Sequence, residues 1–220
     1  MNKLEFGALC TEIMLSLMLI RKKQYQISTV KSIFVSISVL AQGLLGTYIM
    51  YYLENGNWGG QSFFGALLFF PLLLIPVSCI FRFPILDLLD YATIPGVALL
   101  ALFKWNCYQK GCCGGKVLWY SMDGIPTHFP SQIIEMLLAI ILCILLFSME
   151  KKGGYSRKIY PICILIYGMF RYVLNLFRWE QSSFFLGLPA GNIWSMVSIF
   201  VGVIWLFTAS NTCMGVHSNK

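Results

Sequence analysis

Apolar residues fall in seven long runs separated by short polar breaks, at about 4–20, 29–53, 62–82, 84–103, 132–149, 159–178 and 190–209. A helix needs about 20 mostly apolar residues to cross hydrocarbon, and each run comes close to that length. In lipid the backbone must satisfy its own hydrogen bonds, which makes helices the expected element. The third and fourth runs are nearly continuous and break at Arg82-Phe83-Pro84. Proline cannot continue a helix there, and it disfavours helical geometry at the residue before it. The longest connection runs from Lys104 to Pro130 and carries glycine, cysteine and lysine without a helical period. Backbone of that kind is expected at the membrane interface or lining a protein cavity. The pattern predicts an all-α, polytopic membrane helical bundle of about seven transmembrane helices, in a single domain covering residues 1–220. Internal repeats and low-complexity tracts are absent from the sequence.

Composition agrees with this picture. Apolar residues make up 58% of the chain and charged residues 11%, against roughly 25% charge in soluble domains, so the chain cannot cover a soluble surface. The net charge of +7 would point to nucleic acid in a soluble protein. Here the basic residues sit in loops, where they set topology and meet anionic lipid. Arg21, Lys22, Lys23, Arg82, Lys151, Lys152, Arg157, Lys158 and Lys220 fall on one side, and Lys3, Lys104, Lys110, Lys116 and Arg178 on the other. The richer side is expected to be cytoplasmic, with the 104–130 loop outside. The first run, with Arg21-Lys22-Lys23 after it rather than before it, has its charge on the wrong side for a cleaved export signal. It is expected to be the first span. Leu9 is too large for a lipoprotein cleavage site before Cys10.

Ionisable groups inside the runs are the candidates for chemistry. In "YGMFRYVLNLFR", Tyr167, Arg171, Asn175 and Arg178 are spaced so that a continuous helix holds them within about an 80° arc. An arginine at a helix centre costs about 2.5–3.5 kcal/mol by insertion scales, so this stripe is expected to face the protein interior. It suits an anionic group, above all phosphate, gripped by guanidinium forks. The alternative is an Arg171 that pairs with Glu135 or Asp90 and only holds helices together. In "PTHFPSQIIEML", Ser131 can cap the fifth helix, while Gln132 and Glu135 share one face. A carboxylate at the mouth of a basic cavity can orient an arginine or accept a proton. In "KWNCYQKGCCGGK", Cys107, Cys112 and Cys113 lie among Lys104, Lys110 and Lys116, which favour thiolate. A disulfide between Cys107 and Cys112, a thiol-redox site and a plain turn built on Gly111, Gly114 and Gly115 all remain open, whereas paired metal-ligand spacing is lacking. "LPAGNIWSM" opens the last run with Gly191, Asn192 and Ser195, residues suited to close helix packing with polar contacts.

In this order the segments resemble the prolipoprotein diacylglyceryl transferase family, over about residues 55–208. The resemblance rests on Tyr167-Gly168-x-x-Arg171 followed by Arg178, on Ser131-Gln132-x-x-Glu135 after a His-x-Pro approach, on Gly191-polar-x-x-Ser195, and on a GCC-x-G loop like that of a divergent branch. It implies a bacterial plasma-membrane enzyme without a metal or other cofactor. The expected substrates are phosphatidylglycerol and a secreted preprotein with a lipobox cysteine, whose thiol would displace glycerol phosphate from the diacylglyceryl carbon. Arg171, Glu135 and Tyr167 would be catalytic. Arg178, Lys104, Gln132, Ser131, Asn175, Gly115, Gly191 and Ser195 would bind substrate, and Cys107, Cys112 and Cys113 form a candidate thiol site. The sequence departs from the family pattern at Phe64, which stands where the family has a histidine. It departs again at Lys104, Cys107 and Cys112, in place of an arginine-bearing motif, and at Asn175, in place of an acidic residue. Phe64 and Asn175 are what a non-catalytic lipid-binding relative in a membrane maturation or export complex would carry. The cysteine loop is what a membrane thiol-redox protein would carry.

Overall fold

The computed structural model describes residues 2–112, 114–120, 126–178, 183–185 and 187–216, with the side chains of residues 3, 183–185 and 209–216 outside that description. Helices occupy all seven apolar runs: α1 (Lys3–Arg21), α2 (Thr29–Asn55), α3 (Phe63–Leu68), α4 (Phe70–Leu73), α5 (Ile75–Phe81), α6 (Ile85–Gln109), α7 (Ser131–Lys152), α8 (Ile159–Asn175) and α9 (Ala190–Val216). The fold class is an all-α membrane helical bundle. By length and composition α2, α6, α7 and the Ala190–Thr208 part of α9 are long and apolar enough to cross a membrane, while Phe70–Phe81 and α8 are shorter apolar helices. The described strands form two antiparallel pairs, β1 (Val117–Tyr120) with β2 (Pro126–His128) and β3 (Ser183–Phe185) with β4 (Leu188–Pro189).

Three boundaries differ from the sequence pattern, each for a local reason. The third run is not one helix but three short ones. Pro71 and Pro76 stand in the first turns of α4 and α5, where a missing N–H is tolerated, whereas inside a longer helix each would remove a bond. The fourth helix runs past 103 to Gln109, so Lys104 and Cys107 stand on a helix rather than in the loop. The sixth stops at Asn175, because the chain tightens into three-residue closures: Leu176 N–H to Val173 O at 3.2 Å, Phe177 N–H to Leu174 O at 3.1 Å and Arg178 N–H to Asn175 O at 3.4 Å. Arg178 therefore leaves the helical stripe on which its spacing placed it.

The chain forms two compact units, Met1–Leu99 with Leu145–Tyr160, and Leu100–Ile144 with Pro161–Lys220. In the first, Ser28 caps α2 by accepting the Lys31 N–H at 3.3 Å, and Gly56, at φ 69°, ends it in the left-handed region that favours glycine. Gly46 and Gly65 let α2 and α3 touch backbone to backbone; a Cβ on Gly65 would stand 1.9 Å from the Gly46 carbonyl oxygen. Met18, Val35, Met50, Leu74, Leu88 and Tyr91 fill the core, and Phe64 is buried with them. Through this apolar packing runs one ion pair. The Arg21 guanidinium donates to both oxygens of Glu150, to the Tyr91 carbonyl at 2.5 Å and to the Asp90 carbonyl at 3.0 Å.

The second unit is held by small residues where α8 meets α9. A Cβ on Gly168 would lie 3.0 Å from the Ser195 carbonyl oxygen, and one on Gly202 would lie 2.9 Å from the Leu165 Cβ. Such close approach is the usual means of helix association where hydrophobic driving force is weak. The β1–β2 pair extends this unit through Gly115 and Lys116. Gly115 N–H donates to the Phe129 carbonyl at 3.0 Å and Lys116 N–H to the Phe177 carbonyl at 2.9 Å, while Gly115 bridges to Arg178.

Candidate active site

The candidate site lies in the second unit and is built around one carboxylate. Glu135 stands one turn inside α7, so its side chain points from a helix start into packed protein, and it is 4% exposed. Arg171 Nη1 donates to its Oε2 at 2.5 Å, Lys104 Nζ reaches the same oxygen at 2.9 Å, and the Tyr167 hydroxyl donates to Oε1 at 3.1 Å. Tyr167 and Arg171 arrive together because they are four residues apart on α8. Lys104 arrives from α6 because that helix continues beyond the apolar run. The four side chains are buried, Lys104 and Arg171 at 9% exposure each. Among the described residues the cluster therefore sets two cations against one carboxylate. An unbalanced charge in a dry site is costly, and it attracts an anion strongly for the same reason.

The flanking residues fix this cluster in place. Gln132, one turn before Glu135, donates from Nε2 to the Cys112 carbonyl at 2.5 Å and so ties the cysteine loop to α7. Ser131 is buried at the start of the same helix. Gly115 packs against Phe129, where a Cβ would come within 2.5 Å of the Phe129 carbonyl oxygen. Its own carbonyl meets His128 Nδ1 at 3.1 Å. Arg178, partly exposed, stands at the far end of that loop contact rather than in the carboxylate cluster. Asn175 lies one turn beyond Arg171, with its amide against Gly191. Ser195 is fully buried and its hydroxyl donates to the Gly191 carbonyl at 2.6 Å. No disulfide joins Cys107 to Cys112, and the Cys112 Sγ lies 3.5 Å from the Cys107 carbonyl oxygen. Cys113 lies outside the described residues. Among the described residues no group of histidine, cysteine and acidic side chains is placed to hold a metal ion.

Beside the cluster, Leu138, Ala139, Leu142, Phe170 and Leu174 join Glu135, Tyr167 and Arg171 in lining a narrow crevice between α7 and α8. The apolar residues of this crevice carry no sequence signal, because they stand among equally apolar neighbours on α7 and α8.

Comparison with known proteins bears on the same segments. A family model described as prolipoprotein diacylglyceryl transferase matches residues 5–208. The phosphatidylglycerol–prolipoprotein diacylglyceryl transferase of Clostridium tetani (strain Massachusetts / E88) is similar, at 25% identity over 130 residues, covering 54% of this chain and 52% of that protein. The chain thus spans about half the length of the curated relative it matches.

Proposed function

The chain belongs to the prolipoprotein diacylglyceryl transferase family, and from that premise we propose that it moves a diacylglyceryl group from phosphatidylglycerol to the lipobox cysteine thiol of a secreted preprotein. The observation that carries this reading is the excess of positive charge at Glu135, where Arg171 and Lys104 share one carboxylate oxygen. A phosphodiester reaching the cluster neutralises the second cation and takes the guanidinium fork. Arg171 and Lys104 then stabilise the charge that grows on the leaving group. Glu135, released from its cations by the phosphate, accepts the thiol proton. Sulfur bonds to the diacylglyceryl carbon, the bond from that carbon to the phosphate oxygen breaks, and glycerol phosphate departs with the electron pair. Tyr167 holds Glu135 in register throughout.

The test is phosphatidylglycerol consumption by the purified chain with a lipobox peptide. Thioether product and released glycerol phosphate, both lost in Arg171→Ala, are the expected result. Phosphatidylglycerol bound but not consumed would instead support a second reading, a lipid-binding relative without transferase activity. That reading is favoured by Phe64, which is buried and cannot transfer protons. The transferase reading also puts the chain in the bacterial plasma membrane with the loop after α6, residues 110–130, outside. Exposed Cys112 should then react with an impermeant thiol reagent on intact cells, and labelling only after lysis would reverse the topology.

A further inference from the structure

Next to the charged cluster three buried amide atoms, two on Asn175 and one on Asn192, meet no hydrogen-bonding group of the described residues. Asn175 follows Arg171 by one helical turn on α8. Its Oδ1 and Nδ2 are both buried, and neither meets a hydrogen-bonding group of the described residues. The amide lies against Gly191, where a Cβ would come within 2.7 Å of Nδ2. Glycine at that position is what gives the amide room. The next residue, Asn192, is 8% exposed, and its Oδ1 is likewise buried and unpartnered among the described residues. Buried polar atoms in folded proteins are nearly always paired, and each exception calls for an explanation. Here three such atoms fall on two adjoining asparagines at the end of α8 and the start of α9. Other asparagines do not show this pattern: Asn55 and Asn57, on the surface, donate to the Tyr51 and Asn55 carbonyls.

We infer that Asn175 and Asn192 form a neutral subsite that reads hydroxyl groups on the headgroup of the anionic lipid held by Arg171. The inference rests on the phosphate-clamp reading above and adds the selectivity that reading lacks. A carboxamide offers donors and an acceptor side by side, and a hydroxyl group offers the same pair, so each satisfies the other. An ammonium headgroup offers donors alone and would add a third positive charge near Arg171 and Lys104. A bare phosphate monoester would leave the amides unpaired. The spacing also fits. One turn of α8 carries Asn175 about 6 Å along the axis from Arg171, within reach of a three-carbon polyol esterified to a phosphate at Arg171. Sites that pair a substrate hydroxyl reject analogues lacking it much more strongly than apolar pockets reject a missing methylene.

The experiment measures lipid binding to the purified full-length chain, using phosphatidylglycerol, phosphatidic acid and phosphatidylethanolamine with matched acyl chains. The expected order is phosphatidylglycerol at least about tenfold tighter than phosphatidic acid, one good hydrogen bond being worth about that factor, with phosphatidylethanolamine weakest. Asn175→Leu and Asn192→Leu should bring phosphatidylglycerol down to the level of phosphatidic acid while phosphatidic acid shifts by no more than about twofold. Equal binding of the two anionic lipids by the unmodified chain would overturn the inference. So would leucine variants that keep the preference, or that lose both lipids together. Should those variants fail to fold, the unmodified chain still decides the matter by displacement. Glycerol phosphate should compete at roughly tenfold lower concentration than inorganic phosphate, and equal potency overturns the subsite. An Arg171→Ala chain that binds every lipid as before would instead sink the clamp itself, which separates the two failures.

Discussion

Arg21 and Arg171 each end on a buried carboxylate that also accepts a tyrosine hydroxyl, yet the two clusters differ in what they leave over. In the first unit every nitrogen of Arg21 has an oxygen to meet: Glu150, the Tyr91 and Asp90 carbonyls, and the Tyr25 hydroxyl. Arg21 and Glu150 balance one to one. Asp90 Oδ1 nearby accepts the Tyr160 N–H at 2.9 Å in the first turn of α8, where a helix start favours negative charge, while its Oδ2 meets no hydrogen-bonding group of the described residues. Burial, partly offset by the Arg21 charge, pushes the Tyr25 phenol well above its ordinary pKa, so it remains a neutral donor to Glu150. In the second unit one carboxylate serves two cations and unpartnered amides stand close by. A closed, neutral cluster is a device for holding helices; a cluster with a charge to spare is a device for holding something else. On the function proposed above, intramembrane charge alone does not mark the site. The arithmetic of the charges does.

Breaking each cluster at its arginine should separate the two roles. Arg21→Met leaves Glu150 buried without its cation and is expected to cost about 3–5 kcal/mol of stability, read as a lower melting midpoint in detergent. Activity per folded molecule should be unchanged, and adding Glu150→Met should restore the midpoint. If the single variant melts like the parent, the first cluster is not structural. Arg171→Ala should reduce transferase rate by about 10²–10³. Arg171→Lys should recover only part, since an ammonium lacks the bidentate fork. Arg171→Ala leaves Glu135 paired with Lys104 and should largely keep its stability, whereas adding Glu135→Gln leaves Lys104 buried without its carboxylate and should lower stability with activity still lost. A double variant that regains both would make the second cluster a copy of the first.

Lys104→Met is the sharper test, because it converts the second cluster to the one-to-one balance of the first. Removing the surplus cation leaves Glu135 paired with Arg171, so stability should change little, while binding of anionic lipid should weaken by roughly tenfold to a hundredfold, the range of one hydrogen bond to a charged group. Equal lipid affinity with and without Lys104 would mean that the charge excess has no ligand.

The parts of this picture that the sequence made legible are those carried by local spacing. Tyr167 and Arg171 share a face because four residues make about one turn, and Glu135 was identifiable as a carboxylate in an apolar run. Of the two buried carboxylates that the sequence offers Arg171 as partners, Glu135 and Asp90, the 2.5 Å contact selects Glu135. What spacing could not give was where helices stop. Lys104 read as a loop lysine because the apolar pattern ends at 103, yet α6 continues through the polar Lys104–Gln109 stretch. Arg178 read as the fourth member of the stripe, yet the backbone of residues 176–178 turns away to pair with Gly115 and Lys116. The Arg21–Glu150 pair joins residues 129 apart, and nothing local announces it. Long-range pairing depends on which helices become neighbours, information that no window of the sequence contains.

The smallest expected effect compares a single hydroxyl in each cluster. The Tyr25 hydroxyl donates to Glu150 at 2.7 Å and the Tyr167 hydroxyl to Glu135 at 3.1 Å. Replacing either tyrosine by phenylalanine removes one oxygen and keeps the ring, so packing is preserved and the lost hydrogen bond is what remains to be measured. Each change should lower stability by about 1–3 kcal/mol, because a carboxylate loses a buried donor. On stability alone the two variants should be indistinguishable. They should part on function. Tyr25→Phe acts on a closed pair and should leave lipid binding and turnover as they were. Tyr167→Phe frees one oxygen of the carboxylate that orients both Arg171 and Lys104, so the cations should sit less well for a phosphate, and the rate should fall by roughly threefold to tenfold, about 0.6–1.4 kcal/mol of lost positioning. The lipid preference should survive, since Asn175 and Asn192 are untouched. Melting curves and turnover on the two purified variants decide the point. If both lose turnover equally, the clusters act through stability alone and their charge difference has no functional consequence.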